Sequence, residues 1–561
     1  MRRLTKFGVI LAAGLLAAAS GCSAGAGSSS GSGSSNGKTS TNSVLTISNE
    51  NGALWTCGFN PLNSSYNLLS VGFVYEPLVY VNPLQNGKTT PMLATSWTWG
   101  AGNKSLTFTI RSGVKWSDGT PLTAADVAYT FNLIKKYPAL DLTGVWSVLS
   151  SVTATGPDTV TMDFSSVAVP YFYYIADQTP IVPEHIFSTI ANPATASVAH
   201  PVGTGPYLMS KCSPQNITYT ANPHYWQPGL PHIHTLEYPA FTSNNTANDT
   251  LASGQAQWGA QYIPDIQTFY TSKNPNFHYW FPPVLNVAMV PNLTNPLLSN
   301  LKVRQAISYA IDRSQVSNIG ESGYEPPANQ AGIVTPTFSS QLDNQAMASW
   351  GNGYDVAKAK ALLASAGYHL GSGGIMTNAA GQKLQFTVIN IGDYSDWVAS
   401  MQVIQQDLKA VGISITPSNL SNTDYQADLF NGHYQLAYVE QYTFGPGPYY
   451  ELNNWLNSAN TAPIGKQAAS DYERYSNSAT DALLNQYSTT TDPATQQSIL
   501  NKLQQVMLTQ VPFIPVVEGV DWYQYDTSSF TGWPTSSNPY AQPPVWAFPD
   551  NEQVLLHLAP K

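Results

Sequence analysis

Two aspartates set eight residues apart, Asp118 and Asp126 in VKWSDGTPLTAADVAYTF (114–131), are a pair whose type and spacing could serve as general acid and base. Local structure accounts for both. Asp118 falls in SDGT, a D-G turn, and Thr123 with Asp126 three residues on forms a capping-box-like pair at the start of a helix carrying Val127, Phe131 and Ile134 at helical spacing. Other chemical patterns are weaker. GSSSG (27–31) matches the G-x-S-x-G nucleophile elbow but lies in a low-complexity tract with no strand before it and no helix after it. GKT (87–89) lacks the phosphate-loop glycine, Asn82 standing in its place. His232 and His234 form H-x-H in GLPHIHTLEY, expected on one face of a strand, and such a pair is more often exposed than metal-bound. No C-x-x-C or H-E-x-x-H occurs. With no nucleophile, base and metal constellation, the expectation is a binding protein without enzymatic activity, resident metal or cofactor; a secreted hydrolase is the distant alternative.

The elements around these residues belong to a large, weakly charged chain. A length of 561 residues predicts roughly three domains of about 150–200 residues each. Charged residues are only 10%, so Ser, Thr, Asn and Gln must carry much of the solvation. The formal charge of −10 argues against a surface that neutralises nucleic-acid phosphates. Arg2, Arg3 and Lys6 precede the apolar run FGVILAAGLLAAA and then SGC at 20–22, the layout of an export signal over 1–21 and too short an apolar run to span a bilayer. ASGC is similar to a bacterial lipobox, which implies lipid attachment at Cys22. The Gly/Ser tract that follows, to residue 43, reads as a tether. Once Cys22 is acylated, Cys57 and Cys212 remain in an oxidising compartment, as a disulfide or as two separate buried thiols.

Periodicity predicts an α/β scaffold. LTFTI alternates Leu106, Phe108 and Ile110 as a half-buried strand. Asn300 is placed to cap a helix with Val303, Ile307 and Ala310 on one stripe, and Asp355 one with Val356, Ala359, Leu362 and Ala366. Met401, Ile404, Leu408 and Val411 form a third stripe ending at Gly412. Gly203-Thr204-Gly205-Pro206-Tyr207 reads as a turn needing glycine freedom.

Seven blocks in order carry a resemblance: VYEPLVY (74–80), LATSWTWGAGNKSLTFTIRSGVKWSDGTPLTAADVAYTF (93–131), VGTGPYLM with ANPHYWQPGLPHIHTLEY (202–238), NPLLSNLKVRQAISYAIDRSQV (295–316), YDVAKAKALLASAGY (354–368), VIQQDLKAVGISI (403–415) and TQVPFIPV (509–516). Together they resemble family 5 of the bacterial extracellular solute-binding proteins, the peptide, nickel and oligosaccharide receptors of ABC importers. The resemblance implies a periplasmic-binding-protein-like type II fold, α/β, with two lobes, a hinge and an inserted third domain. Carried onto this chain, lobe I is 44–80, 199–282 and 512–561, the inserted domain 81–198 and lobe II 283–511. It also implies a monomer at the cell surface or in the periplasm, partnered by membrane permease subunits.

The solute is where this chain departs from the family pattern. In peptide-binding members an aspartate of lobe II pairs with the ligand's α-ammonium. Here GHYQLAYVEQYTFGPGPYYELNNWL (432–456) has Gln435 where an Asp after Tyr is usual, and Tyr442–Phe444 near where the ammonium-binding aspartate would fall; Glu440 lies close. The candidate solute-binding residues are therefore Glu440 and the rings of Trp55, Phe59, Tyr425, Tyr442, Phe444, Tyr450 and Trp455, with Tyr449 beside them. Peptides or peptide-like solutes are the first expectation, and oligosaccharides, which stack on such rings, the alternative.

Overall fold

The structure is a computed structural model describing residues 43–49, 52–351, 353–441 and 445–561. The export signal, Cys22, the tether to residue 42, Tyr442 and Phe444 lie outside the described residues.

Among the described residues the three largest sheets each carry a core, and a smaller fourth cluster forms around Leu251, Ile266 and Tyr270. The first sheet has seven strands in the order 277–279, 524–526, 258–259, 44–48, 235–239, 216–221, 207–213, with Val44–Ser48 parallel to both of its neighbours. A four-stranded antiparallel sheet, 94–99, 105–110, 159–164, 149–154, carries Leu106, Phe108 and Ile110 inward against Val127 and Phe131 of the helix Ala124–Lys136, whose Ile134 instead joins the core of the seven-stranded sheet. The third sheet has five strands in the order 414–420, 385–391, 436–440, 283–291, 514–520. In it Gln385–Ile391 is parallel to both neighbours, whereas Pro283–Pro291 is antiparallel to both.

The expected helices form where their caps predict. The Asn300 side chain accepts from Lys302 N at 3.0 Å and opens Leu301–Ala310, and that of Asp355 accepts from Lys358 N at 2.8 Å and opens Val356–Ser365. Val303, Ile307, Ala359, Leu363, Met401, Ile404 and Leu408 all enter the core of the five-stranded sheet. Two buried arginines tie this body to the last long strand. Arg304 donates from Nε to Val511 O and Arg313 from Nε to Pro515 O.

That strand, Ile514–Val520, is hydrogen-bonded along Pro283–Pro291, so the expected boundary between 511 and 512 falls ahead of a strand belonging to the five-stranded sheet. The reason is legible afterwards: IPVVEGV is buried at all seven positions, and an apolar run of this kind does not declare which sheet it joins. The chain crosses between the seven-stranded and five-stranded sheets at 279–283 and again at 520–524.

Asp118 and Asp126 are structural, as their local sequence implies. Asp126 Oδ2 accepts from Thr123 N and Oγ1, and its Oδ1 from Glu184 N; Asp118 accepts from Thr120 N and pairs with His185 Nε2 at 2.6 Å. Asp126 thus fastens the segment around Pro183–Phe187 to the helix start, and Asp118 fastens it to the preceding turn. Cys57 and Cys212 are bonded to one another, S–S 2.04 Å with Cα atoms 5.8 Å apart, linking the segment after the first strand to Tyr207–Ser213. His232 and His234 flank buried Ile233 just before the strand Thr235–Pro239 begins. Among the described residues no group of three metal-ligating side chains forms, and no helix is long and apolar enough to cross a membrane.

The reading of 203–207 needs correction. Neither Gly203 nor Gly205 has a positive φ. Both are required by close approach: a Cβ on Gly203 would sit 1.9 Å from Val74 O, and one on Gly205 2.7 Å from Phe73 O, because Gly205 N and Tyr207 N bond to the carbonyls of Val74 and Phe73. Backbone cannot yield as a side chain does. Gly203→Ala is expected to cost about 1–3 kcal/mol, read as an earlier urea midpoint at unchanged slope.

Candidate functional site

The parallel part of the five-stranded sheet creates a crevice. Gln385–Ile391 leads into the helix Ser395–Ala410, and Ser414–Leu420 into Asn422–Asn431, so the carboxyl ends of three adjacent strands and two helix starts converge on one place. Open α/β sheets bind ligands at such ends. A cavity of about 270 Å³ lies there, lined by Ile391, Tyr394, Trp397, Tyr425, Phe430 and Tyr472 with Glu440 and Gln441 on its rim. Trp397 meets Tyr394 edge-on at 5.3 Å and Tyr438 at 5.1 Å, and Tyr425 Oη donates to Tyr438 O at 2.6 Å, fixing the walls.

A second wall stands at the chain crossings. Tyr262, beyond the strand Trp258–Gly259, meets Trp522 edge-on at 5.2 Å and Tyr324 at 6.1 Å; Phe281 meets Trp522 at 4.9 Å and Tyr324 at 5.6 Å. All four rings are half-buried, unlike the core aromatics around them. Tyr262 Oη lies 3.2 Å from Ser322 Oγ, a contact between segments that extend from different sheets.

Carboxyl groups lie near Tyr262. The turn Val316–Gly320 packs so closely on the helix Ser395–Ala410 that a Cβ on Gly320 would meet the Ser400 backbone at 2.8 Å, and this delivers Glu321 to the helix, where its Oε1 accepts from Ser400 Oγ. Glu321 and Glu325 are buried, each with Oε2 lacking a partner. Asp396, in the helix's first turn, and Glu440, at the end of its strand, are half-exposed. Burial raises all three of Glu321, Glu325 and Asp396; Glu321 goes up to about 8, with the negative charges of Asp396 and Glu440 adding to burial and the Ser400 bond opposing it. The hydroxyl of Tyr438 is fully buried beside them, next to Ser400.

The sequence-chosen residues divide. Tyr425 and Glu440 line the crevice. Tyr450 does not: its hydroxyl donates to Pro170 O at 3.0 Å and its ring meets Tyr173 and Tyr174 edge-on, beside a separate cavity of about 560 Å³ lined also by Trp97, Trp99, Phe172 and Tyr487. Trp55, Phe59 and Trp455 are core, 7%, 0% and 0% exposed. Trp55 Nε1 donates to Tyr238 O and its ring packs on Tyr238, and Trp455 stacks on Phe513 at 4.4 Å, leaving no face for a solute. Gln435, where an aspartate is usual, accepts from Thr387 N of the adjoining inner strand. Reasoning from sequence missed Tyr262, Phe281, Glu321, Tyr324, Asp396, Trp397 and Trp522; the available signal was their position just beyond strand ends and at the helix start.

Known proteins share this architecture. The model of bacterial extracellular solute-binding proteins, family 5 middle, matches residues 88–463. The glutathione-binding protein GsiB of Escherichia coli strain K12 is 26% identical over 464 residues, 77% of this chain and 80% of the relative. The periplasmic oligopeptide-binding protein of an oligopeptide ABC transporter from Thermotoga maritima superposes with a TM-score of 0.85 at 25% identity, covering 92% of this chain and 99% of that one. Its mannohexaose-bound form gives 0.78 at 25% identity, covering 93% and 99%.

The raised carboxyl fixes the sign of a pH effect. Glu321 binds its proton more tightly folded than unfolded, so its contribution to stability is fully present below about 4.5 and is lost as pH rises toward about 8. The melting temperature is expected to fall between pH 5.5 and 8.5, and Glu321→Gln to flatten that fall; calorimetry at matched ionic strength checks it.

Proposed function

The chain belongs to the bacterial extracellular solute-binding proteins of family 5, and from that membership we propose that it is the extracytoplasmic receptor of an ABC importer, taking peptides or peptide-like solutes and handing them to a membrane permease. The bodies around the seven-stranded and five-stranded sheets act as lobes I and II, the body around the four-stranded sheet as the inserted domain, and the crossings at 279–283 and 520–524 as the hinge. The observation that carries this reading is the half-buried ring group at those crossings, which leave the five-stranded sheet at the same end as the carboxyl ends of its parallel strands. A solute touching both walls favours the closed form by its differential affinity for it. The protein acts without altering its solute and works as a monomer.

Oligosaccharides are the second reading. The missing ammonium-binding aspartate and the ring-lined crevice favour it, as does the likeness to a protein solved with mannohexaose bound. A thermal-shift series with di- to pentapeptides against cello-, xylo- and manno-oligosaccharides separates the two, since saturation at 100 Kd adds about 2.7 kcal/mol. Peptides are expected to raise the melting temperature; a sugar series doing so alone replaces the first reading with the second.

Cys22 is proposed as the lipid-modified first residue of the mature protein, holding the receptor at the cell membrane through the Gly/Ser tract. Cys22→Ala is expected to release the protein from the membrane fraction and to abolish palmitate labelling; retention of both would remove the anchor.

A further inference from the structure

We propose that Tyr450 is a latch for closure: it fastens the body of the five-stranded sheet to that of the four-stranded sheet and so sets how tightly any solute is held, without touching the solute. This rests on the receptor reading and adds to it a residue that governs affinity from outside the crevice. Tyr450 lies on the helix Pro448–Leu456, whose Tyr449, Leu452, Trp455 and Leu456 enter the five-stranded core. Its own ring is half-buried and packs against that core and against the core of the four-stranded sheet as well. The hydroxyl donates to Pro170 O at 3.0 Å, and the ring meets Tyr173 at 5.5 Å and Tyr174 at 5.8 Å, both on the helix Tyr171–Ala176 of the four-stranded body. Close by, Val169 N donates at 2.9 Å to the carbonyl of Ser488, the last residue of the helix Ser478–Ser488.

The way the three bodies are joined places this contact on the boundary that moves. The four-stranded body is bound firmly to the seven-stranded one: Ser117 N donates to Gly203 O, Tyr80 Oη to Asp550 Oδ1, Asn82 Nδ2 to Pro539 O and Gln178 Nε2 to Phe548 O. Its chain also enters from the seven-stranded body and returns to it, whereas the five-stranded body is reached only through the crossings at 279–283 and 520–524. Rotation at the crossings therefore carries the four-stranded body along with the seven-stranded one and makes or breaks its contacts with the five-stranded body. Those contacts are built to open. A cavity of about 560 Å³ separates Trp97, Trp99 and Phe172 on one side from Gln341, Gln497 and Leu500 on the other, so the bodies touch at points around a gap and share no continuous apolar core. A bond made only in the closed form raises the fraction of molecules able to hold a solute, and apparent affinity follows that fraction whatever the solute is. A side chain that touched the solute would weaken some solutes more than others.

Titration calorimetry and stopped-flow dissociation on the full mature chain, with di- to pentapeptides and manno-oligosaccharides as probes, test this. Tyr450→Phe keeps the ring and removes the donor. It is expected to weaken each solute that the unaltered protein binds by one common factor of about three- to tenfold, the span of a single neutral hydrogen bond, through faster dissociation. Tyr174→Leu, made on the opposite body, is expected to give the same uniform loss and serves should the first variant fail to fold. Unchanged affinity in a folded Tyr450→Phe protein, or losses that differ between solutes by more than about twofold, overturn the latch and leave the receptor reading intact. If the unaltered protein binds none of the probes, the receptor reading fails and the latch with it.

Discussion

The antiparallel pairing of Pro283–Pro291 with Ile514–Val520 is the constraint on which the rest of the molecule turns. These two strands are far apart in sequence, yet their ladder brings both chain crossings to one end of the same sheet. The strands beyond the crossings pair again, Phe277–Tyr279 with Gln524–Asp526, so the two connections stay side by side. Adjacent crossings permit one bending axis. Were they at opposite edges, relative movement of the two bodies would shear hydrogen bonds instead of rotating a few backbone angles. The buried guanidiniums of Arg304 and Arg313, each satisfied by carbonyls, hold the approach to the second strand against the helix Leu301–Ala310 and so keep the ladder in register.

Electrostatics follows from how few charges the chain has and where it puts them. Carboxyls outnumber lysines and arginines, and several are buried with hydrogen-bond donors instead of cations: Glu451 accepts from Asn286, Glu518 from Thr335, Asp550 from Tyr80 and Gln542. Those acids are raised by burial and pulled back by their donors. Near the crevice the pattern is the same, and Glu518 Oε2, like Glu321 Oε2, lacks a partner. Glu321 has one donor for two oxygens, and its charged neighbours share its sign.

Much of the fold was legible because it is written in local terms. The caps at Asn300 and Asp355, the stripes they introduce and the inward face of Leu106, Phe108 and Ile110 each depend on residues within a few positions of one another. What could not be read is what depends on partners distant in the chain. Ile514–Val520 looks the same whichever sheet it joins. Gly203 looks like a turn glycine until Val74 O is brought against it. The site suffered most from this. Trp55, Phe59 and Trp455 have the composition of a binding surface, but burial against Tyr238 or Phe513 decides their role. Tyr262, Phe281, Tyr324 and Trp522 become a group only because the two crossings are neighbours.

That dependence also explains why the solute's chemistry is harder to read than the fold. The scaffold is specified many times over, by caps, stripes and ladders that agree with one another. The crevice is specified by a handful of side chains at strand ends, where changing one residue leaves the packing beneath intact. Gln435 illustrates the point: at a position where an acid is usual, its side chain has taken a backbone donor, Thr387 N, from the adjoining inner strand. A carboxyl group is present nevertheless, that of Glu440 at the end of the strand Leu436–Glu440. The chemistry can therefore move among the elements bordering a crevice while the crevice stays where the parallel strands end, so a function carried over by motif alone must be checked against which side chains actually converge there.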